Sequence, residues 1–175
     1  MDRQQIGVKL AVDGLGLPFK IDGFMDRLIM QKAVYLAQAA GVNLGYFYQW
    51  YLYGPYSPSL TRDEFAIAMD ISADMDDSRG WKLDDVSLQR LEGIRAIFSE
   101  PDRDKLARNL ELLASVHFPS CPMLIERPDN SAIRPKTKYD RSNPRPSRVF
   151  STAIDHFALV HEAFLPANKS YSCTS

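Results

Sequence analysis

Two prolines three residues apart, in the run Gly54-Pro55-Tyr56-Ser57-Pro58, constrain this chain more than any other feature. Each proline fixes its own φ at about −65° and pushes the residue before it out of the helical region. The backbone must therefore turn or run extended through 54–57, and Ser57-Pro58 reads as the cap and first residue of a helix. Immediately upstream, residues 46–53 read Tyr-Phe-Tyr-Gln-Trp-Tyr-Leu-Tyr. Rings at that density favour an extended segment, with Gly54-Pro55 expected to make the turn that ends it. Successive side chains of a strand face opposite sides. One set of rings can enter a core, while the other needs cover from a neighbouring element or from a second protein.

Helical periodicity dominates the remainder. Phe24, Leu28, Met30, Ala33, Leu36 and Ala39 form a broad apolar face over residues 23–40, and Gly41 is a natural stop. A shorter helix is expected over 3–13. The helix opened by Ser57-Pro58 should reach about residue 71 and bury Leu60, Phe65, Ala68 and Met69. Residues 72–80 read as an acidic loop. Trp81-Lys82-Leu83 is expected to form a short strand that pairs with 48–52 as a wing-like hairpin. Asp84 or Asp85 caps a helix carrying Leu88, Leu91, Ile94, Ile97 and Phe98 inward. Pro101-Asp102 opens another, with Leu106, Leu110, Leu113 and Ala114 inward, ending near 118–119. A last helix is expected over 151–164. The fold class is mainly α: a compact helical domain of about five to six helices with a short two-stranded β element.

Hydrophobic residues make up 45% and charged residues 25%, which excludes wholesale disorder, and 175 residues suit a single domain over 1–175. The net charge of −1 argues against a generally basic nucleic-acid binder. Only two cysteines occur, Cys121 and Cys173, which argues against a disulfide-built scaffold. The opening Met1-Asp2-Arg3-Gln4-Gln5 lacks a signal-peptide pattern, and no apolar run is long enough to span a membrane. A cytoplasmic, membrane-free protein is expected. Residues 122–148 are the compositional outlier, holding Pro122, Pro128, Pro135, Pro144 and Pro146. Within 126–148, Arg127, Arg134, Lys136, Lys138, Arg141, Arg145 and Arg148 stand against Glu126, Asp129 and Asp140. This local charge of +4 on a chain of net −1 makes the seven cations candidate contacts for nucleic acid or for an acidic partner.

Catalytic signatures are sparse. His117 and Cys121 are separated by the helix-breaking Pro119, and His156 and His161 diverge by about 140° on a regular helix. There is no Gly-rich phosphate loop, nucleophile elbow or H-E-x-x-H. Asp74, Asp76, Ser78 and Asp85 depart from a calcium-loop pattern in the glycine position and the final Glu, so the acidic run reads as a solvated turn. Neither a metal, nor another cofactor, nor a catalytic group is expected.

Two stretches carry a resemblance. Arg27-Leu28-Ile29-Met30-Gln31-Lys32-Ala33-Val34-Tyr35 is followed, about fifteen residues on, by Tyr51-Leu52-Tyr53-Gly54-Pro55-Tyr56-Ser57-Pro58. This resembles the SocA-like and YwgA-like proteins of the Panacea group, with their helical L-Q-K-x-x-Y and later Y-G-P-x-S. Leu110–His117 is similar to the late helix of the YwgA-like branch. Met30 stands where that pattern has Leu, Ile29 where one branch often has Lys, and the basic stretch has no counterpart. The resemblance implies a small helical antitoxin-like domain that neutralises a toxin by protein–protein contact, with a partner encoded in the same operon. Physically, Gln31, Lys32 and Tyr35 fall within one turn and can share a rim of the helix facing the Gly-Pro turn. One reading is structural, with Tyr35 bonded to a turn carbonyl and Lys32 capping or solvated. The other is a recognition patch built from Arg27, Gln31, Lys32, Tyr35, Tyr53, Gly54, Pro55, Tyr56 and Ser57. A nucleic-acid-binding regulator using the 127–148 cations, and a homodimer, are the alternatives.

Overall fold

The computed structural model describes residues 1–120 and Leu124. The helix expected over 151–164, and the stretch 122–148 apart from Leu124, lie outside the described residues, as do the seven cations between Arg127 and Arg148. The described residues form five α-helices and one hairpin. In order these are α1 (Arg3–Gly14), α2 (Phe24–Ala39), β1 (Gln49–Tyr51), β2 (Gly54–Tyr56), α3 (Pro58–Ser72), α4 (Asp85–Arg95) and α5 (Arg103–His117). Single 3₁₀ turns follow α4 at Ala96–Phe98 and α5 at Phe118–Ser120. The mainly helical fold with one two-stranded element is the expected one.

Helix starts follow side-chain chemistry. Asp2 and Gln5 make a reciprocal capping box on α1, and the Asp84 and Asp102 carboxylates accept from the first-turn amides of α4 and α5. Ser57 caps α3 with Pro58 at its first position. Gly23 precedes α2 without a capping side chain, and Asp26 reaches back to accept from its amide at 3.1 Å. The same carboxylate takes a hydrogen bond from Arg103, tying the start of α5 to the start of α2. Burial pushes the Asp26 carboxyl up, but the Gly23 amide and the Arg103 guanidinium outweigh it and hold it below its usual value.

The core is organised around α2, which packs against α1, α3, α4, α5 and β2 and most extensively against α5. Every residue from Leu28 to Ala37 is buried. A helix buried all round has no solvent face to mark by polarity, so the expected stripe was too narrow. Phe24, placed on that stripe, lies at the end of the helix and is half exposed.

Three further expectations are corrected. The hairpin joins β1 to β2 in antiparallel register, with Gln49 opposite Tyr56, Trp50 opposite Pro55 and Tyr51 opposite Gly54. Leu52-Tyr53 form its turn, whereas Gly54-Pro55 belong to the strand, and 81–83 are not strand. Two segments separated by two residues pair at little entropic cost, while a partner thirty residues away must close a long loop. Pro55 is tolerated because both strands of a two-stranded sheet are edges. On α3 the buried positions are Leu60, Glu64 and Ile67, while Phe65 and Met69 face out. The true face follows the i, i+4, i+7 spacing, and a carboxylate at its centre disguised it. On α4, Ser87 is buried and Leu88 exposed, again one position of rotation.

Gly54 explains why the hairpin needs glycine. Its φ is +81°, and a Cβ there would run into the Ser115 hydroxyl, with the Ser115 Cα at 3.6 Å. Both the backbone conformation and the approach of α5 demand the missing side chain. Gly80 also has positive φ, at +89°, but meets nothing within 4 Å. Gly54→Ala should therefore lose about 3 kcal/mol of unfolding free energy, and Gly80→Ala about 1 kcal/mol. Equal losses in urea titrations of the two variants would contradict the close packing of β2 on α5.

Candidate functional site

The side chains that α2 sends toward the hairpin are buried and polar. Gln31 and Lys32 are 4% and 2% exposed, so neither sits on a solvated rim. Gln31 clamps the start of α3. Its Oε1 accepts from the Ser57 amide at 3.0 Å, while its Nε2 lies 3.3 Å from the Ser57 carbonyl, 3.0 Å from Thr61 Oγ1 and 3.2 Å from Glu64 Oε1. Lys32 Nζ donates to the Pro55 carbonyl at 2.6 Å. The Tyr35 hydroxyl and His117 Nδ1 lie 2.9 Å apart. Residues within one turn of α2 thus hold the α3 start, the β2 strand and the end of α5. In the structural reading the turn carbonyl was assigned to Tyr35; the cation takes it.

Aromatic packing reinforces this arrangement. The Tyr35 ring stands edge-on to Tyr48 at 5.1 Å and lies 6.0 Å from Phe118, which in turn lies 6.0 Å from Trp50. One face of the aromatic run is therefore core: Tyr46 and Tyr48 are buried. Tyr46 donates to Asp63 Oδ2 at 2.7 Å, and the Tyr48 amide donates to the Leu124 carbonyl at 2.8 Å. Burial pushes the Tyr48 hydroxyl well above its ordinary pKa.

Glu64 and His117 were missed as members of this cluster. Glu64 is fully buried, its Oε1 bonded by Gln31 and its Oε2 without a partner among the described residues. Desolvation pushes its carboxyl up to about 8, against a weaker opposing pull from Gln31 and Arg27, so it is protonated at neutral pH. Burial pushes the Lys32 ammonium down to about 8, opposed by the charge of Glu111 on α5. Glu64 shares its face of α3 with Leu60 and Ile67, a spacing whose inward sense shows only once Gln31 is found as its partner.

Above the cluster lies a groove of about 280 Å³. The hairpin supplies one wall with Tyr51, Leu52, Tyr53 and Tyr56, and α2 the other with Phe24, Arg27 and Leu28. Thr61 and Phe65 of α3 close the end, and Gln31 and Lys32 form the floor. Phe24 and Tyr53 meet edge-on with ring centroids 5.0 Å apart. Of the nine residues proposed from sequence, Arg27, Gln31, Lys32, Tyr53, Gly54 and Tyr56 line this groove, and Tyr35, Pro55 and Ser57 lie outside its lining. A second, larger depression of about 800 Å³ lies between α1, residues 42–45 and residues 81–87. No group of His, Cys, Asp and Glu among the described residues could hold a metal ion, and no described helix is long and apolar enough to cross a membrane. The acidic turn is closed on itself, Asp76 Oδ1 accepting from the Ser78 amide at 3.0 Å.

No known protein family, curated protein or solved structure matches the chain.

The Glu64 proton sets a pH signature. Its carboxyl titrates at about 8 when folded but near 4.5 when exposed, so the folded state keeps a proton that the unfolded chain releases. The stability linked to it is full below the unfolded value and is lost as pH rises toward 8. Stability measured against Glu64→Gln, which cancels other titrating groups, should fall by about 3–4 kcal/mol between pH 5 and 8. A flat difference would contradict a buried, protonated Glu64.

Proposed function

We propose that this chain is a non-catalytic protein-interaction module that receives a partner polypeptide in the groove between the hairpin, α2 and α3. The toxin-neutralising proteins that its Gln31-Lys32-x-x-Tyr35 and Tyr53-Gly54-Pro55-x-Ser57 motifs resemble likewise act by protein–protein contact. A toxin-like protein encoded beside it, met in the cytoplasm, is the partner the resemblance points to. The observation that carries the reading is the rim of the groove. Phe24, Tyr51, Leu52, Tyr53 and Phe65 leave large apolar surface open around one depression, with Leu52 72% exposed. Contiguous exposed aromatics are the raw material of binding hot spots. The polar groups beneath are engaged in holding the hairpin and α3 in place. Between Gln49 and Tyr56 the hairpin carries no Lys or Arg, so it offers a phosphate backbone no cation, which favours protein over nucleic acid.

The test is capture from the protein's own cells with the wild-type chain and with Leu52→Ser/Phe65→Ser. Both positions are exposed, so the variant should melt within a few degrees of wild type. A stoichiometric protein retained by wild type and reduced at least tenfold in the variant is the expected result. An unchanged set of bound proteins, or a groove occupied by a second copy of the chain in sedimentation, would contradict the proposal.

A further inference from the structure

The charges lining the groove are one-sided. Arg27 and Lys32 are its ionisable residues apart from tyrosine hydroxyls, and no carboxylate lines it. Neither cation appears in any ion pair among the described residues. The Lys32 ammonium has three N–H donors and spends one, on the Pro55 carbonyl. Arg27 uses Nη1 on the Ile21 and Asp22 carbonyls, at 3.1 and 3.3 Å, leaving its other guanidinium N–H groups for another acceptor. Around them the surface is almost entirely apolar, supplied by Phe24, Leu28, Leu52 and Phe65. A cation held among apolar walls interacts with an anion more strongly than one in bulk water.

Resting on the docking reading above, we infer that the groove selects a partner segment in which a bulky apolar residue stands beside a carboxylate. The apolar side chain packs against the Phe24–Tyr53 pair and Phe65. The neighbouring Asp or Glu is met by the half-buried Arg27 fork, with Lys32 supplying positive charge from the floor. A polypeptide is the occupant because a volume of about 280 Å³ takes one large side chain of a longer segment and lies below the usual range of small-molecule pockets. The arrangement also gives discrimination. A lysine beside the apolar residue would be driven against two cations, and a neutral residue would leave their donors unmatched.

The experiment is an amide-shift titration of the full chain with four probes. They are acetyl-Ala-Phe-Glu-Ala-amide, the same peptide with Gln in place of Glu, the same with Lys, and 3-phenylpropionate. The Glu peptide should move the amides of Phe24, Arg27, Tyr53 and Phe65 and bind about tenfold tighter than the Gln peptide, with the Lys peptide weaker still. In Arg27→Met, whose side chain is partly exposed, the affinity ratio of the Glu to the Gln peptide should shrink to about twofold or less. Equal binding of the Glu and Gln peptides, or shifts confined to the depression beside Trp81, would overturn the inference. So would 3-phenylpropionate binding tenfold tighter than the peptide, which would make the ligand a free acid. Equal Glu and Gln binding at the groove would still leave partner docking standing, whereas capture unaffected by Leu52→Ser/Phe65→Ser would remove the reading on which this rests.

Discussion

The hydrogen bond from a buried lysine to a proline carbonyl holds the hairpin of this molecule on its central helix. Lys32 lies in a helix surrounded on all sides and is only 2% exposed. Burying a charge costs several kcal/mol unless strong acceptors offset it. Pro55 supplies such an acceptor at 2.6 Å, and the field of Glu111 favours the charged form. The arrangement works only if β2 lies against α2, so the ammonium penalises every conformation in which the hairpin lifts away. Gln31 does the same for α3 by matching both the amide and the carbonyl of Ser57. The hairpin is too short to be stable by itself, since an isolated pair of three-residue strands is marginal in water. It is stable here because α2 and α5 grip it from below.

That grip produces the groove. With β2 fixed on α2 and Gly54 pressed on Ser115 of α5, the turn residues Leu52 and Tyr53 are held out beside Phe24 and Phe65. A rigid apolar rim loses little conformational entropy on meeting a partner, so more of the contact energy is available for affinity. The polar residues named from the sequence therefore have a double position. Gln31 and Lys32 support the hairpin from within and also form the floor of the groove, whereas Tyr35 belongs to the aromatic core beside His117.

Much of the fold was legible because capping chemistry and proline placement are local. Asp84, Asp102 and Ser57-Pro58 mark helix starts that the structure repeats within a residue or two. The inward face of α5 was legible too, with Leu106, Leu110 and Ala114 buried as expected, whereas the faces of α3 and, at Leu88, of α4 were not. The stripe on α3 was misplaced because Glu64 occupies a core position, and no local rule expects a carboxyl there until its partner Gln31, thirty-three residues earlier, is known. The strand partner of β1 was misassigned because Gly54-Pro55 looks like a turn; only the pairing of Trp50 with Pro55 shows it to be strand. Of the site, the motif residues around Gln31 and Gly54 could be named in advance. The rim formed by Phe24, Leu52 and Phe65 could not, since it is assembled from three separate elements.

The most direct measurement is residue-resolved hydrogen exchange on wild type and Lys32→Met. Methionine keeps the length and apolar stem of lysine but leaves the Pro55 carbonyl without its donor, at a cost of about 1–3 kcal/mol. If the ammonium fastens the hairpin, amides protected in β1, in β2 and at the start of α3 should exchange at least tenfold faster, while those of α1 and α4 keep their wild-type rates. Uniform acceleration across the chain would make Lys32 a general core residue, and unchanged exchange at the hairpin would show that the Pro55 contact holds nothing in place.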